Sequence, residues 1–342
     1  DIIFLNNQID LKYQFSSKIN NIIFTLFNST IFIFALLIFE KSIRRNIAYK
    51  YKQVITVAIA GDSGTGKSYF SSDFKNIIGE KNFLLLEGDG EHKWERENKK
   101  WKEFTHLNPM ANKLHNQFEM LKTLTFGKAI MKSNYDHSTG KFTSPFLVKP
   151  KKFIILDGLH PFYLPKARKL IDIKVYMNTD ENLKIKWKMI RDKNLRKHKS
   201  EIVEKEIKRR EPDKQKYIFP QMQYADIIFS YLLKSNKNFN DEINEKDLKL
   251  KISLESDVIL DELLEDFEKI DSLKFDHDYS IDLKKQEIVL EGEISNDHIV
   301  TLAKKHINSL SEIITERAIW HNNYRGLRQL FILLMINNLL KN

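Results

Sequence analysis

Residues 54–60, Val-Ile-Thr-Val-Ala-Ile-Ala, run almost without a polar break into Gly61-Asp62-Ser63-Gly64-Thr65-Gly66-Lys67-Ser68. No other stretch restricts the fold as much. A short apolar run that ends in a glycine loop has the form of a parallel strand buried on both faces. The loop keeps the spacing G-x-x-x-x-G-K-[ST]. Its glycines let successive backbone N–H groups face phosphate oxygens, Lys67 reaches the β and γ phosphates, and Ser68 offers a hydroxyl to Mg²⁺. A helix is expected from Tyr69 onward. The expectation is a phosphate loop that takes ATP, with Gly61, Asp62, Ser63, Gly64, Thr65, Gly66, Lys67 and Ser68 as its contacts and Mg²⁺ as the cofactor.

Two more apolar runs place acids where such a loop can use them. Residues 83–86 lead into Glu87-Gly88-Asp89, and residues 153–156 lead into Asp157. In an open α/β sheet, ligands bind at the carboxyl edge of the strands. Asp157 is therefore the metal-side acid, beside Ser68. Asp89 is the candidate general base, because phosphoryl transfer needs a carboxylate near the acceptor hydroxyl. The expected fold is α/β, a P-loop NTPase-type, mostly parallel sheet flanked by helices.

With 342 residues, 42% hydrophobic and 30% charged, the chain can bury a sizeable core, and two globular units plus a flank are expected. The net charge of +10 lies in clusters at 41–52, 93–102, 184–199 and 205–216. That balance suits an anionic substrate, a membrane surface or nucleic acid, although many such clusters are solvated helix faces. Only the charge favours nucleic acid, which is not an expected partner. The absence of Cys excludes disulfides, thiolate metal sites and thiol switches.

Residues 22–39 carry no charge, and Lys41, Arg44, Arg45, Lys50 and Lys52 follow. A helix of that length spans roughly 27 Å, enough to cross a bilayer, and the basic flank would hold everything after it on the cytoplasmic side. The polar Asn28-Ser29-Thr30 leaves a core or interfacial helix as the alternative. Because the first residue is Asp1, the chain is expected to be a fragment of something longer, with further spans upstream left open.

Beyond the loop, several motifs occur in one order. They are Asp89-Gly90-Glu91-His92 through Arg96, His106-Leu107-Asn108-Pro109 with Ala111-Asn112, and Tyr135-Asp136-His137-Ser138-Thr139-Gly140. Asp157-Gly158-Leu159-His160-Pro161, Trp187-Lys188-Met189-Ile190-Arg191-Asp192 and Pro220-Gln221-Met222-Gln223-Tyr224-Ala225-Asp226 follow. In this the chain resembles the phosphoribulokinase and uridine kinase family, the phosphoribulokinase branch above all. The resemblance implies an ATP-dependent kinase acting on a hydroxyl of a pentose phosphate or related sugar, with Asp89 as base. It matches His92 and Arg96 to residues lining the sugar-phosphate site, and Tyr135 and His137 to a substrate-binding hairpin. Lys188 and Arg191, three apart on a helix, match residues that bring charge to the reacting phosphates. Arg196 and Arg210 fall in a stretch similar to the family's lid and its following helix. Two departures stand out. Asp157 replaces a usual Glu, and Glu91 replaces a common aromatic, adding negative charge beside an anionic substrate. Thr65 stands where chloroplast members carry a redox-switch cysteine.

Residues 1–52 read as a flank, 53–235 as the kinase domain and 236–342 as a C-terminal α/β extension, the polar stretch 235–247 forming the joint. Strands are expected at 248–254 and, of edge type, at 287–293, with helices over 258–270 and from Asp297 and Arg325. Trp320-His321 reads as a satisfied or surface histidine. Sheet extension, homo-oligomer contact and substrate closure all remain open for this region. A nucleoside kinase and a membrane-tethered ATP-binding switch without acceptor chemistry are the competing functions.

Overall fold

The computed structural model describes residues 20, 25–33, 54–136, 138–194, 200–235, 237–238 and 242–341, with Asp89, Lys188, 190–194 and 200–204 described by their backbone alone. Two compact units divide the chain. One comprises residues 1–52 with Asn342, the other residues 53–341. In the first, residues 25–33 are helical, and Thr30 Oγ1 donates to the Leu26 carbonyl at 2.8 Å. The remainder of the 22–39 segment lies outside the described residues. Among the described residues no helix is long and apolar enough to cross a membrane, so the structure lends the anchor no support.

The second unit is built on an eight-stranded sheet in the order Leu273–Tyr279 (β11), Lys285–Gly292 (β12), Leu248–Glu255 (β10), Ile227–Leu233 (β9), Ile173–Thr179 (β8), Ile55–Ala60 (β1), Phe153–Asp157 (β7) and Phe83–Glu87 (β2). Two short pairs accompany it, Ile130–Lys132 (β3) with Phe146–Val148 (β6) and Tyr135–Asp136 (β4) with Lys141–Phe142 (β5). Strands β1, β2, β7, β8 and β9 run parallel. Strands β10, β11 and β12 continue the sheet antiparallel. Every residue of β1 is buried, and successive side chains supply opposite faces. Ile55, Val57 and Ile59 join one core, whereas Ala58 and Ala60 join the other. Helix α1 (Lys67–Ile78) covers the first face through Phe70, Phe74, Ile77 and Ile78, one stripe at helical spacing. Phe74 meets the Phe153 ring edge-on at 5.7 Å. Helix α2 (Leu114–Thr125) covers the second face through Met120, Leu121 and Leu124, joined by the short α3 (Pro165–Arg168) through Ala167.

The strand expected as an edge at 287–293 does not lie at an edge. Strand β12 is interior, and β11 is the edge. The alternation over 287–293 has another cause. Glu287 pairs with Lys251 at 2.7 Å, and Glu291 pairs with both Lys249 at 2.9 Å and Lys234 at 3.0 Å, so cross-strand ion pairs keep one face of an interior strand polar. Strand β11, Leu-Lys-Phe-Asp-His-Asp-Tyr, is acidic enough to pass for a loop. The helix expected over 258–270 is shorter, α6 (Asp261–Glu268). Helices α7 (Asn296–His306), α8 (Leu310–Ile313) and α9 (Asn323–Lys341) pack on the face that α1 also covers.

His160, 5% exposed, donates from Nε2 to the Leu107 carbonyl at 2.8 Å. Burial pushes its pKa down to about 4, against 6.5 ordinarily. Between those values the unfolded chain binds a proton that the native chain refuses, so stability falls as the pH drops through that window. Urea unfolding should show about 2 kcal/mol less stability from this group at pH 5 than at pH 7. His160→Gln should flatten the profile by that amount. A variant with the wild-type slope would assign the dependence elsewhere.

Candidate active site

Three parallel strands end level at one edge. Across β2, β7 and β1, Glu87 is in register with Asp157, and Asp157 with Ile59. The turn after β2, the Asp157 carboxylate and the loop after β1 therefore lie side by side. Gly61 leaves β1 at a φ of 146°, and a Cβ there would stand 2.4 Å from the Met177 carbonyl oxygen. Only glycine fits this close approach.

Within the loop, Lys67 Nζ donates to the Gly61 and Asp62 carbonyls, each at 2.9 Å. The buried Thr65 hydroxyl donates to the Asp62 carbonyl at 2.9 Å. Asp62 Oδ1 accepts the Ser63 N–H at 2.6 Å, and Lys184 Nζ lies 2.8 Å from Oδ2. The helix begins at Lys67, two residues before the sequence pattern placed it. Ser68 is exposed on its first turn, while Ser71, one turn on, donates to Asp157 Oδ2 at 3.3 Å. A hydroxyl and a carboxylate are hard oxygen donors. Mg²⁺ commonly takes one or two protein oxygens and completes its shell with water and phosphate, so the donor set fits it.

The backbone turns at Gly88–Glu91, and Asp89 sits in that turn. Beside it, Glu91 and Lys132 are each 4% exposed, and Lys132 Nζ lies 3.8 Å from Glu91 Oε1. Asn116 Nδ2 donates to the other Glu91 oxygen at 2.8 Å. The expectation that Glu91 loads the acceptor side with negative charge is overturned: the carboxylate is buried and matched. Burial dominates the Lys132 pKa and lowers it, with the charges of Glu91 and Glu87 acting in the opposite direction.

His92 is also buried, its Nδ1 donating to Asn112 Oδ1 at 2.8 Å. It lies in a group of rings, 4.7 Å from His106, 5.5 Å from Trp101 and 5.8 Å from Tyr135. Trp101 stacks 4.0 Å from His106, and Trp94 joins it at 5.3 Å. Arg96 is tied to the hairpin that Tyr135 opens, its backbone N–H donating to the Gly140 carbonyl at 2.9 Å and its Nη1 to the Ser138 carbonyl at 3.4 Å. Thus His92, Arg96 and Tyr135 come together, whereas His137 lies outside the described residues.

Lys188 and Arg191 both fall on helix α4 (Glu181–Asn194). Arg196 lies outside the described residues. Arg210, on α5 (Ser200–Asp213), pairs with Glu206 at 3.3 Å and lines a cavity with Asp62, Lys184 and Lys214. The sequence reading missed Lys184 and Lys132. Lys184 carried a signal, since it stands one helical turn before Lys188.

The phosphoribulokinase / uridine kinase family model matches residues 56–237. Phosphoribulokinase of Synechocystis sp. is 39% identical over 180 residues, covering 53% of this chain and 54% of that protein. The chloroplastic phosphoribulokinase of Spinacia oleracea is 31% identical over 244 residues, covering 66% and 57%. The chain thus spans about half the length of the curated relatives it matches. The solved structure of phosphoribulokinase from Rhodobacter spheroides superposes with a TM-score of 0.58 at 16% identity, covering 85% of this chain and 98% of that one. At that identity the likeness speaks for the fold alone, a P-loop kinase fold. A matched model over more than half of the chain, on a phosphate loop set in a parallel sheet, leads to one conclusion: the chain belongs to the phosphoribulokinase / uridine kinase family.

Proposed function

We propose that the chain is an ATP- and Mg²⁺-dependent kinase that transfers the γ-phosphoryl group to a hydroxyl of a pentose phosphate or a related sugar phosphate. The observation that carries this reading is the level edge of β1, β7 and β2, which sets the phosphate loop, Asp157 and the Asp89 turn next to one another. In this reading Asp89 accepts the proton of the acceptor hydroxyl. The oxygen then attacks the γ-phosphorus as the bond to the β-γ bridging oxygen breaks, leaving ADP. Lys67, Lys188 and Arg191 offset the charge on the moving group, the term expected to dominate in phosphoryl transfer. Ser68 and Asp157 would hold Mg²⁺, which neutralises phosphate charge when bound. His92, Arg96, Tyr135, His137, Arg196 and Arg210 hold the anionic acceptor.

One observation favours a second reading. The rings of His92, Trp101, His106 and Tyr135 gather in one cluster, and two of them belong to residues assigned here to the acceptor; a nucleoside kinase would need such a surface for a base. ADP release with ribulose 5-phosphate, other sugar phosphates and uridine separates the two. Turnover with a sugar phosphate at least tenfold above uridine in kcat/KM is expected, a difference of about 1.4 kcal/mol. Turnover with uridine alone would establish the second reading, and ATP hydrolysis indifferent to every acceptor would favour a switch. The uncharged stretch 22–39 with its basic flank supports a membrane-anchored form whose catalytic unit faces the cytoplasm. Carbonate extraction of the native protein from membranes tests it.

A further inference from the structure

Asp62 is an acid within the phosphate loop, between the glycine that leaves β1 and the residues that wrap a triphosphate. A carboxylate at that place opposes an anionic ligand unless its charge is met. Lys184 meets it. The lysine is 6% exposed, and its Nζ lies 2.8 Å from Asp62 Oδ2 and 2.7 Å from Glu181 Oε2. Lys214, equally buried, binds the other Glu181 oxygen at 3.0 Å and also Glu211 at 2.6 Å. The order of contacts is Asp62, Lys184, Glu181, Lys214, running from the phosphate loop through α4 to the residue that follows the end of α5.

That end of α5 is also fixed to the loop of residues 104–108. Asp213 accepts from the Thr105 hydroxyl at 2.7 Å and from Asn108 Nδ2 at 3.3 Å, and Arg209 donates to the Phe104 carbonyl at 3.0 Å. Ion pairs and hydrogen bonds thus link the loop that would hold ATP with residues 104–108, whose His106 ring lies 4.7 Å from that of His92.

We propose that Lys184 is a positioning residue for nucleotide binding, one that neutralises Asp62 and holds its carboxylate away from the phosphates. The proposal rests on the ATP reading above. It makes Lys184 act through Asp62, so its loss should be corrected by removing the charge it offsets. A purely structural lysine predicts no such correction in nucleotide affinity once the stability of each variant is known.

The test uses the full chain and its Lys184→Met, Lys184→Arg, Asp62→Asn and Asp62→Asn/Lys184→Met variants. Calorimetric titration with a non-hydrolysable ATP analogue and Mg²⁺ gives affinity, and thermal melting gives stability. Lys184→Met should weaken binding by about tenfold or more, a loss of about 1.4 kcal/mol or more. Lys184→Arg should stay within about threefold of wild type, and the double variant should recover most of the loss, because the repelling charge is gone. Wild-type affinity in Lys184→Met overturns the proposal. So does a double variant that binds no better than Lys184→Met at matched fractions folded. If Lys184→Met does not fold, the comparison passes to the double variant and Lys184→Arg. A double variant that folds and binds at least about tenfold more weakly than Asp62→Asn then also overturns the proposal. A wild-type chain that binds no nucleotide overturns the ATP reading and this proposal with it, a result distinct from the others.

Discussion

Asn in place of Asp89 is expected to lower kcat by about 10²- to 10⁴-fold, the range that a positioned general base contributes, while affinity for an ATP analogue stays within about twofold. The split follows from the sheet. Asp89 belongs to the turn after β2, two strands away from β1, whose loop would hold the nucleotide. The change from carboxylate to amide removes the proton acceptor and little volume, so the packing of the Gly88–Glu91 turn over Lys132 should survive. Single-turnover phosphorylation under saturating ATP reads the chemical step alone. A kcat within a few-fold of wild type would remove Asp89 from the reaction. A parallel loss of analogue affinity would instead show that the substitution disturbs the phosphate loop.

The half of the molecule that bears on chemistry was legible because its elements are set by local rules. A both-faces-buried parallel strand needs an unbroken apolar run, and a phosphate loop needs glycines at fixed spacing, so β1, β7 and the loop could be read residue by residue. The antiparallel half was harder. In β11 acidic residues alternate with Phe275 and His277, and in β12 charged residues find partners on β10, neither of which a single strand's pattern discloses.

Burial of charge was the other blind spot. Glu91 reads in sequence as negative charge beside an anionic substrate, and Lys132, forty-one positions later on another element, cancels it. The Asp62–Lys184 pair joins residues more than a hundred positions apart in the same way. Pairing at such separation depends on the register of the sheet and the packing of α4, which no window of sequence contains. His321 fared better. It reads in sequence as a surface or a satisfied histidine, and the structure shows the second: its Nε2 lies 3.1 Å from Asn76 Nδ2 and 3.4 Å from Asp73 Oδ1.

That histidine belongs to the contact whose loss should cost the fold most. Asp73, on α1, is 1% exposed, and among the described residues its carboxylate is held by α9 and the segment before it. Arg328 Nη2 reaches Asp73 Oδ2 at 2.7 Å, Arg325 grips the carboxylate through Nε and Nη2, and Gln329 Nε2 donates to the Asp73 backbone carbonyl at 3.0 Å. Arg328 is 2% exposed, its guanidinium near the rings of Tyr231 at 5.6 Å and Phe70 at 5.9 Å, and its Nε has no hydrogen-bond partner among the described residues. Asp73→Ala would therefore strand a buried cation that water does not reach. Breaking one side of such a pair costs about 3–5 kcal/mol, a large share of the roughly 5–15 kcal/mol that holds an average protein folded. Asp73→Ala/Arg328→Met should regain much of that, because the uncompensated charge goes with the arginine and an apolar side chain suits the ring-lined site. Urea unfolding of wild type, both single variants and the double variant closes the cycle. A loss below about 1 kcal/mol in Asp73→Ala would mean that Arg328 escapes to solvent when released, and that α9 yields more readily than its buried face implies.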